Sequence, residues 1–184
     1  MTTLGFTITF YGPFRVGAAY ARDGIDAAID HDDPLPADHL KGVMRDAAAA
    51  VLGARHPKLA EVFGSAKKPS PWAWSSARTG DGEWHISNNY RVEIDPDTHS
   101  AKKDHLVFGE QAWPRQAAFT VTGPASPDED HLLVLRCAAA AVHGLGAWRR
   151  RGLGWVGITP DDGPVTADET VALLALRTRE RSGA

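Results

Sequence analysis

Residues 4–11 alternate strictly, with Leu4, Phe6, Ile8 and Phe10 on one side and Thr7, Thr9 and Tyr11 on the other. A period of two with one apolar side predicts a half-buried strand. Over 38–52 the period changes. Leu40, Val43, Met44, Ala47, Ala48, Val51 and Leu52 recur every three or four positions, one stripe of a helix that Gly53 should stop. The stretch 71–76, with Trp72 and Trp74, predicts extended chain. Segments 84–94 and 105–108 flank Asp95-Pro96-Asp97-Thr98 and predict the two arms of a hairpin, the proline pre-setting the bend. Alternation returns over 117–122. Ser126-Pro127-Asp128-Glu129 then predicts a helix start, with a capping serine, a proline at the first helical position and a glutamate three residues after the cap. That helix should run to about His143 and end at Gly144. Residues 153–158 predict a further strand, and Thr166-Ala167-Asp168-Glu169 caps a terminal helix over about 166–180.

Strand, helix, two or more strands, helix, strand is the order of an α+β chain. It predicts a ferredoxin-like (RRM-like) βαββαβ core with a hairpin, about 84–108, inserted in its middle; an unrelated α+β sandwich fits the same order. With 184 residues, 43% of them hydrophobic, the chain predicts one domain over 1–184 with a real core. Lys and Arg number 20 against 23 Asp and Glu, a net charge of −3. Whole-molecule attraction therefore cannot hold a nucleic acid, and any such binding must rest on a local patch. Cys137 is the single cysteine, which excludes intrachain disulfides and multi-thiolate metal sites. Neither a basic-then-apolar leader nor a membrane-length apolar run is visible, so a cytoplasmic protein with no membrane partner is expected.

Chemistry concentrates in 145–156, Leu-Gly-Ala-Trp-Arg-Arg-Arg-Gly-Leu-Gly-Trp-Val. Gly146, Gly152 and Gly154 let the backbone turn at positive φ and approach a ligand closely. Arg149, Arg150 and Arg151 add planar forks suited to phosphate oxygens. The loop suits a polyanion, an RNA backbone above all, and equally suits an ordinary solvated connection. Lys41 and Arg45 share one helix face. Lys41 lies in the first turn, where the macrodipole disfavours a cation unless an anion also sits there. Gly42 between them costs the helix roughly 1 kcal/mol against alanine, a cost that close approach of another chain explains; a solvated face explains it as well. If both basic elements grip one strand, they should face a common groove.

Asp23, Asp26, Asp30, Asp32 and Asp33 crowd the loop before that helix. Such density recruits a hard cation such as Mg²⁺ or supplies a general base, although solvated loop aspartates are the commoner outcome. His31 and His39 lie nearby as candidate proton shuttles. Trp72, Trp74, Tyr90 and Trp148 are candidate base-stacking rings, with core packing expected for at least half of them.

Several pieces, in order, resemble the RAMP superfamily, and within it the small repeated backbone subunits of type III CRISPR effector complexes. Gly12-Pro13-Phe14-Arg15-Val16-Gly17 is similar to the turn after the first strand, and Gly24-Ile25-Asp26 to the element carrying the cleavage aspartate. Leu35 to Arg45, with Leu40-Lys41-Gly42 and then Arg45, resembles the family signature, and Val62-Phe63-Gly64 the usual phenylalanine–glycine pair. Arg91-Val92-Glu93-Ile94-Asp95 followed by Thr98-His99-Ser100-Ala101 resembles the protruding thumb, and Leu145 to Val156 the C-terminal glycine-rich loop. Ala147 and Arg149 stand where glycine is frequent, Asp38 and His39 where small residues are usual, and His99 where the thumb commonly has glycine.

The resemblance implies an antiviral complex in which copies of the chain line up on a guide RNA beside other type III subunits. Lys41, Gly42, Arg45, Arg91 and the loop residues Gly146, Arg149, Arg150, Arg151, Gly152 and Gly154 would hold RNA. The thumb would displace a nucleotide at intervals, and Asp26, with Mg²⁺, would serve cleavage of the target RNA there, as metal ligand or as proton acceptor. Three other readings stay open: an inactive structural subunit, a guide-precursor processing ribonuclease using a histidine such as His31, and an unrelated ferredoxin-like protein with a basic loop.

Overall fold

A computed structural model describes residues 1–19 and 22–181, with side chains through Thr178. The elements are β1 (Thr2–Phe10), α1 (Ala37–Leu52), α2 (Pro57–Phe63), β2 (Ala73–Trp74), β3 (Ile86–Ile94), β4 (Ala101–Ala112), β5 (Gln116–Gly123), α3 (Glu129–Ala140), β6 (Val156–Pro160) and α4 (Ala167–Arg181). A 3₁₀ turn covers Arg149–Arg151.

The alternation in β1 decides the architecture. Phe6, Ile8 and Phe10 are buried on one side, and β1 pairs antiparallel with β5 (Phe6 opposite Phe119) and with β6 (Ile8 opposite Ile158). β2 adds to the far side of β5, giving the order β2-β5-β1-β6 of a ferredoxin-like sheet. Phe6 and Phe119 stack at 5.1 Å, and with Ile158, Val121, Leu40, Met44 and Leu135 they belong to one buried core beneath α1 and α3. The other sheet face carries small polar residues, Thr7, Thr9, Thr120, Thr122 and Thr159. Tyr11, 69% exposed, continues this face past the end of β1, with its hydroxyl over Gly157. Among the described residues no helix is long and apolar enough to cross a membrane.

β3 and β4 form a separate two-stranded ribbon, as the turn at Asp95 predicts. Asp95 Oδ1 accepts from the amides of Asp97 and Thr98, both at 2.9 Å, and the second arm begins at Ala101, earlier than 105. His99 takes φ 53°, the conformation for which glycine is common at this turn.

Elsewhere the local signals shift. α3 is capped by Asp128, whose carboxylate accepts from the Asp130 amide at 2.8 Å; Ser126 is not the cap, and the helix ends at Ala140, short of His143. The reason is ionic. Lys58 Nζ sits 3.1 Å from Asp128, 3.2 Å from Asp130 and 3.1 Å from Glu61, tying the start of α3 to α2. α2 itself escaped the sequence pattern because its cap is His56, with Nδ1 accepting from the Lys58 amide at 3.3 Å. β6 starts at Val156, since residues 153–155 belong to the loop before it.

The Thr166/Glu169 capping box forms as predicted: Glu169 Oε2 accepts from the Thr166 amide at 2.8 Å and Thr166 Oγ1 from the Glu169 amide at 3.2 Å. Arg136 of α3 joins it, donating to Glu169 Oε1 at 2.6 Å and also pairing with Asp162. The guanidinium, with the Thr166 amide, pulls the Glu169 carboxyl from its ordinary 4.5 down to about 2. A depressed carboxylate stabilises the fold above its unfolded pKa, and that contribution disappears as pH falls from about 5 toward 2. Replacing Glu169 by Gln should cost about 1.5–3 kcal/mol at pH 7. The gap between variant and wild type should shrink as urea midpoints are taken from pH 7 to pH 3; a constant gap would refute the pairing.

Candidate nucleic-acid interface

The loop between α3 and β6 is built by its contacts with the rest of the chain. Its ends are closed by the Leu145 amide donating to Gly154 O at 2.9 Å and the Val156 amide to His143 O at 3.2 Å. The turn after β1 grips it from below: the Gly154 amide donates to Pro13 O at 2.8 Å and the Ala147 amide to Arg15 O at 2.7 Å. Two glycines are sterically obligatory. Gly146 (φ 76°) and Gly154 (φ 78°) have no room for a Cβ, which would lie 2.2 Å from Arg15 O and 2.0 Å from Leu145 O respectively. Ala147 stands in this loop without a left-handed backbone, so glycine is not needed there.

His39 supplies a further anchor. Its Nε2 accepts from the Gly146 amide at 2.9 Å, and burial, with Arg149 nearby, holds the imidazole below its usual range and therefore neutral. The expectation of a proton shuttle at His39 is corrected: the ring is committed to holding the loop.

Trp148 locks the loop to the hairpin. Its indole meets two guanidinium groups, Arg15 at 4.8 Å and Arg91 of β3 at 4.3 Å from the ring centroid. Gly109 of β4 makes space for it, since a Cβ there would come within 3.0 Å of Trp148 Cη2. Arg15 Nε also donates to Ala27 O at 3.1 Å, which brings in the segment carrying Asp26.

The 3₁₀ turn then points its arginines to different sides. Arg149 and Arg150 line a hollow of about 380 Å³ with His143, Leu153 and Trp155; Arg151 lines another of about 410 Å³ with Arg91, Glu93, His105 and Val107. Among the described residues none of the three forms an ion pair with a carboxylate, and all three are exposed.

Lys41, Gly42 and Arg45 line a cavity of about 450 Å³ with Phe63, Ser65 and Lys68. Arg45 Nη1 donates to Gly64 O at 3.0 Å, and Lys41 Nζ sits 5.5 Å over the Trp74 ring. His39, in the first turn of α1 and bonded to Gly146, connects this helix to the glycine-rich loop. The 63–70 loop, which the periodicity did not reveal, lines the cavity beside Lys41 and Arg45. Gly42 is exposed and its added Cβ would touch nothing in this chain.

Asp26 sits at the root of the hairpin. Its Oδ2 accepts from the Phe108 amide at 2.9 Å, its own amide donates to Phe108 O at 2.9 Å, and Oδ1 takes no hydrogen bond among the described residues. The other loop aspartates do not gather round it. Asp30 Oδ1 accepts from the Asp32 and Asp33 amides, and Asp33 Oδ2 from Ser76 Oγ at 2.7 Å. The acidic group whose ligand atoms do converge, within 4.8 Å, is Glu61, Asp128 and His131, and Lys58 already neutralises it. One outward oxygen at Asp26 fits a Mg²⁺ ion that keeps most of its water and borrows oxygens from RNA phosphate, and does not fit an all-protein cage.

Of the candidate stacking rings, Trp72 is buried and Trp74 stacks on Phe63 at 5.7 Å. Trp148 is occupied by its two arginines, which leaves Tyr90, 55% exposed with its ring edge-on to Phe108. Trp155, 58% exposed beside Arg149 and Arg150, was missed; its place opposite the inward Val156 in the alternation was the available signal.

Residues 7–157 match the profile of the RAMP superfamily. No curated protein matches the chain. Among solved structures, a chain in the cryo-EM structure of the type III-B Cmr-beta bound to cognate target RNA superposes with a TM-score of 0.69. It is 10% identical, over 87% of this chain and 97% of that one. A chain of the apo-state type III-B Cmr-beta structure gives 0.67 at 11% identity, over 86% and 97%. At such identity the superpositions speak for the fold. The profile match covers most of the sequence, from β1 through the glycine-rich loop to β6, and by it the chain belongs to the RAMP superfamily.

Proposed function

We propose that this chain is a guide-RNA-binding backbone subunit of a type III CRISPR effector complex and that it cuts the bound target RNA at Asp26. The observation that carries the reading is the mounting of Asp26. Its carboxylate is fixed on the strand whose hairpin partner, Arg91, is joined through Trp148 to the arginine loop. A cutting group and a polyanion-holding surface are thereby set at a constant separation. The solved Cmr-beta structure bound to target RNA supports the choice of ligand, as does the exposed charge of Arg149, Arg150 and Arg151.

Arg91, Arg151 and the Arg149/Arg150 pair hold guide phosphates on both sides of the loop, with Gly146, Gly152 and Gly154 keeping its backbone close to the strand. Lys41, Gly42 and Arg45 form a second contact with RNA or with the next copy of the chain. The hairpin carries exposed Val92, Ile94, Leu106 and Val107. A two-stranded ribbon with such a surface is marginal by itself and needs a partner. Wedged against the guide–target duplex, it displaces a nucleotide and lets the neighbouring 2′-hydroxyl align with its own phosphodiester, a geometry that a regular A-form duplex denies. Asp26 Oδ1 would hold Mg²⁺, which when bound neutralises charge on the phosphoryl oxygens. Copies repeat along the guide, with other type III subunits, so the cuts recur at regular intervals. Base pairing supplies sequence specificity.

Replacing Asp26 by Asn should leave assembly and guide binding intact and slow target cutting by more than about 100-fold, and chelating Mg²⁺ should do the same to the wild type. Intact target RNA with the wild-type complex would favour an inactive structural subunit, and metal-independent cutting of hairpin RNA by the monomer a processing nuclease. Changing Arg149, Arg150 and Arg151 together to Ala should flatten the salt dependence of single-strand binding by about 0.7 per lost phosphate contact. An unchanged slope would remove the loop from the interface.

A further inference from the structure

Glu110 of β4 is buried, 4% exposed, and the reaction proposed above has no use for it. Both its oxygens are occupied. Oε2 accepts from the Ile29 amide at 2.9 Å; Oε1 accepts from Arg22 Nη1 at 2.8 Å and from His31 Nε2 at 3.0 Å. Burial opposes its charge, but the Ile29 amide, His31 and Arg22 outweigh that and keep Glu110 a carboxylate. His31 Nε2 lies between two partners, 3.0 Å from Glu110 Oε1 and 2.9 Å from Arg22 Nη1, and a protonated imidazole donates from it to the carboxylate. Nδ1 is without a partner among the described residues, on a side chain that is 45% exposed. An imidazole oriented by a buried carboxylate, with its second nitrogen toward solvent, is the arrangement of a general acid or base.

Its location gives it a substrate. Asp26 is bound to Phe108, and Glu110 lies two residues further along β4, about 7 Å of extended chain. Between them Ala27 O accepts from the Glu110 amide at 2.9 Å and the Ala27 amide donates to Phe108 O at 3.1 Å. Asp26 and the His31–Glu110 pair therefore hang from the same three residues of one strand. Arg22 adds a cation whose Nη1 is committed to Glu110 and His31 and whose other nitrogens are free among the described residues to meet a phosphoryl oxygen.

We propose that His31 is the general acid that protonates the leaving 5′-oxygen of the cut RNA, with Glu110 as its positioning residue. This rests on the cutting reaction proposed above. The O2′–phosphorus bond forms as the phosphorus–O5′ bond breaks. The 2′-proton passes to water at the Asp26 carboxylate, and the His31 Nδ1 proton passes to the 5′-oxygen. The products are a 2′,3′-cyclic phosphate and a free 5′-hydroxyl, with no change of oxidation state.

The test uses the assembled complex with guide, Mg²⁺ and two matched targets: ordinary RNA, and RNA with sulfur in place of the scissile 5′-bridging oxygen. A thiolate leaves without a proton. His31→Gln should bind both targets as the wild type does, cut ordinary RNA about 100-fold or more slowly, and cut the sulfur-bridged RNA at close to the wild-type rate. Glu110→Gln should show a smaller loss with the same rescue, and Asp26→Asn should stay slow on both. Wild-type rates for His31→Gln on ordinary RNA overturn the proposal, as does an equal deficit on the two targets, which assigns His31 a structural role. A wild-type complex that leaves both targets intact overturns the cutting reaction itself, and the acid with it.

Discussion

The indole of Trp148 held by Arg15 and Arg91 is the contact on which the rest of the interface depends. Arg15 belongs to the turn after β1, Arg91 to the hairpin and Trp148 to the glycine-rich loop, three segments far apart in sequence. Each cation–π contact contributes about 0.5–2 kcal/mol, modest by itself. Its importance is geometric. Two like charges are kept close to one ring, and the ring rests on Gly109, where no side chain fits. Loop and hairpin are therefore both tied to the turn after β1, and the arginines of the 3₁₀ turn keep a fixed distance from the root of the hairpin.

Charge is distributed with the same economy. The chain is net negative, yet its cations divide into two populations. Lys58, Arg136, Lys102 and Arg22 are matched with carboxylates and hold elements together. Arg149, Arg150 and Arg151 have no such match among the described residues and sit on a loop whose backbone is over-determined by five hydrogen bonds. A cation that stabilises nothing internally is free to bind an anion at full strength, while the net −3 limits attraction to polyanions elsewhere on the surface. Repetition along a filament would sum the local sites without making the monomer indiscriminately sticky.

The fold was largely legible because it rests on periodicity. The alternation in β1, the stripe in α1 and the capping box at Thr166 are local patterns, and each formed where it was written. The errors came where tertiary contacts choose among local options. Asp128 took the cap of α3 from Ser126 because Lys58, seventy residues away, holds it there. α2 was invisible because histidine is not a usual cap and seven residues show little periodicity. For the site, residue types were readable and their grouping was not. The loop glycines and arginines could be named from composition, but nothing local says that Lys41 and Arg45 turn toward the 63–70 segment or that His39 binds Gly146. Glu110 left no trace in the sequence, because a buried carboxylate is defined by its partners across space.

The ferredoxin-like sheet leaves the insertion to be braced from outside. One face of the sheet is filled by helices and the other carries mostly threonines, with Tyr11 at its end. The hairpin stands apart from both, and a lone two-stranded ribbon would swing freely. Residues 26–29 solve this by lying alongside β4, with Ala27 bridging to Gly109 and Ile29 bonding Glu110. The loop before α1 thereby braces the ribbon's base, and in bracing it presents Asp26. The same hydrogen bonds that brace the hairpin place the carboxylate, so stiffness of the ribbon and position of Asp26 cannot be varied independently.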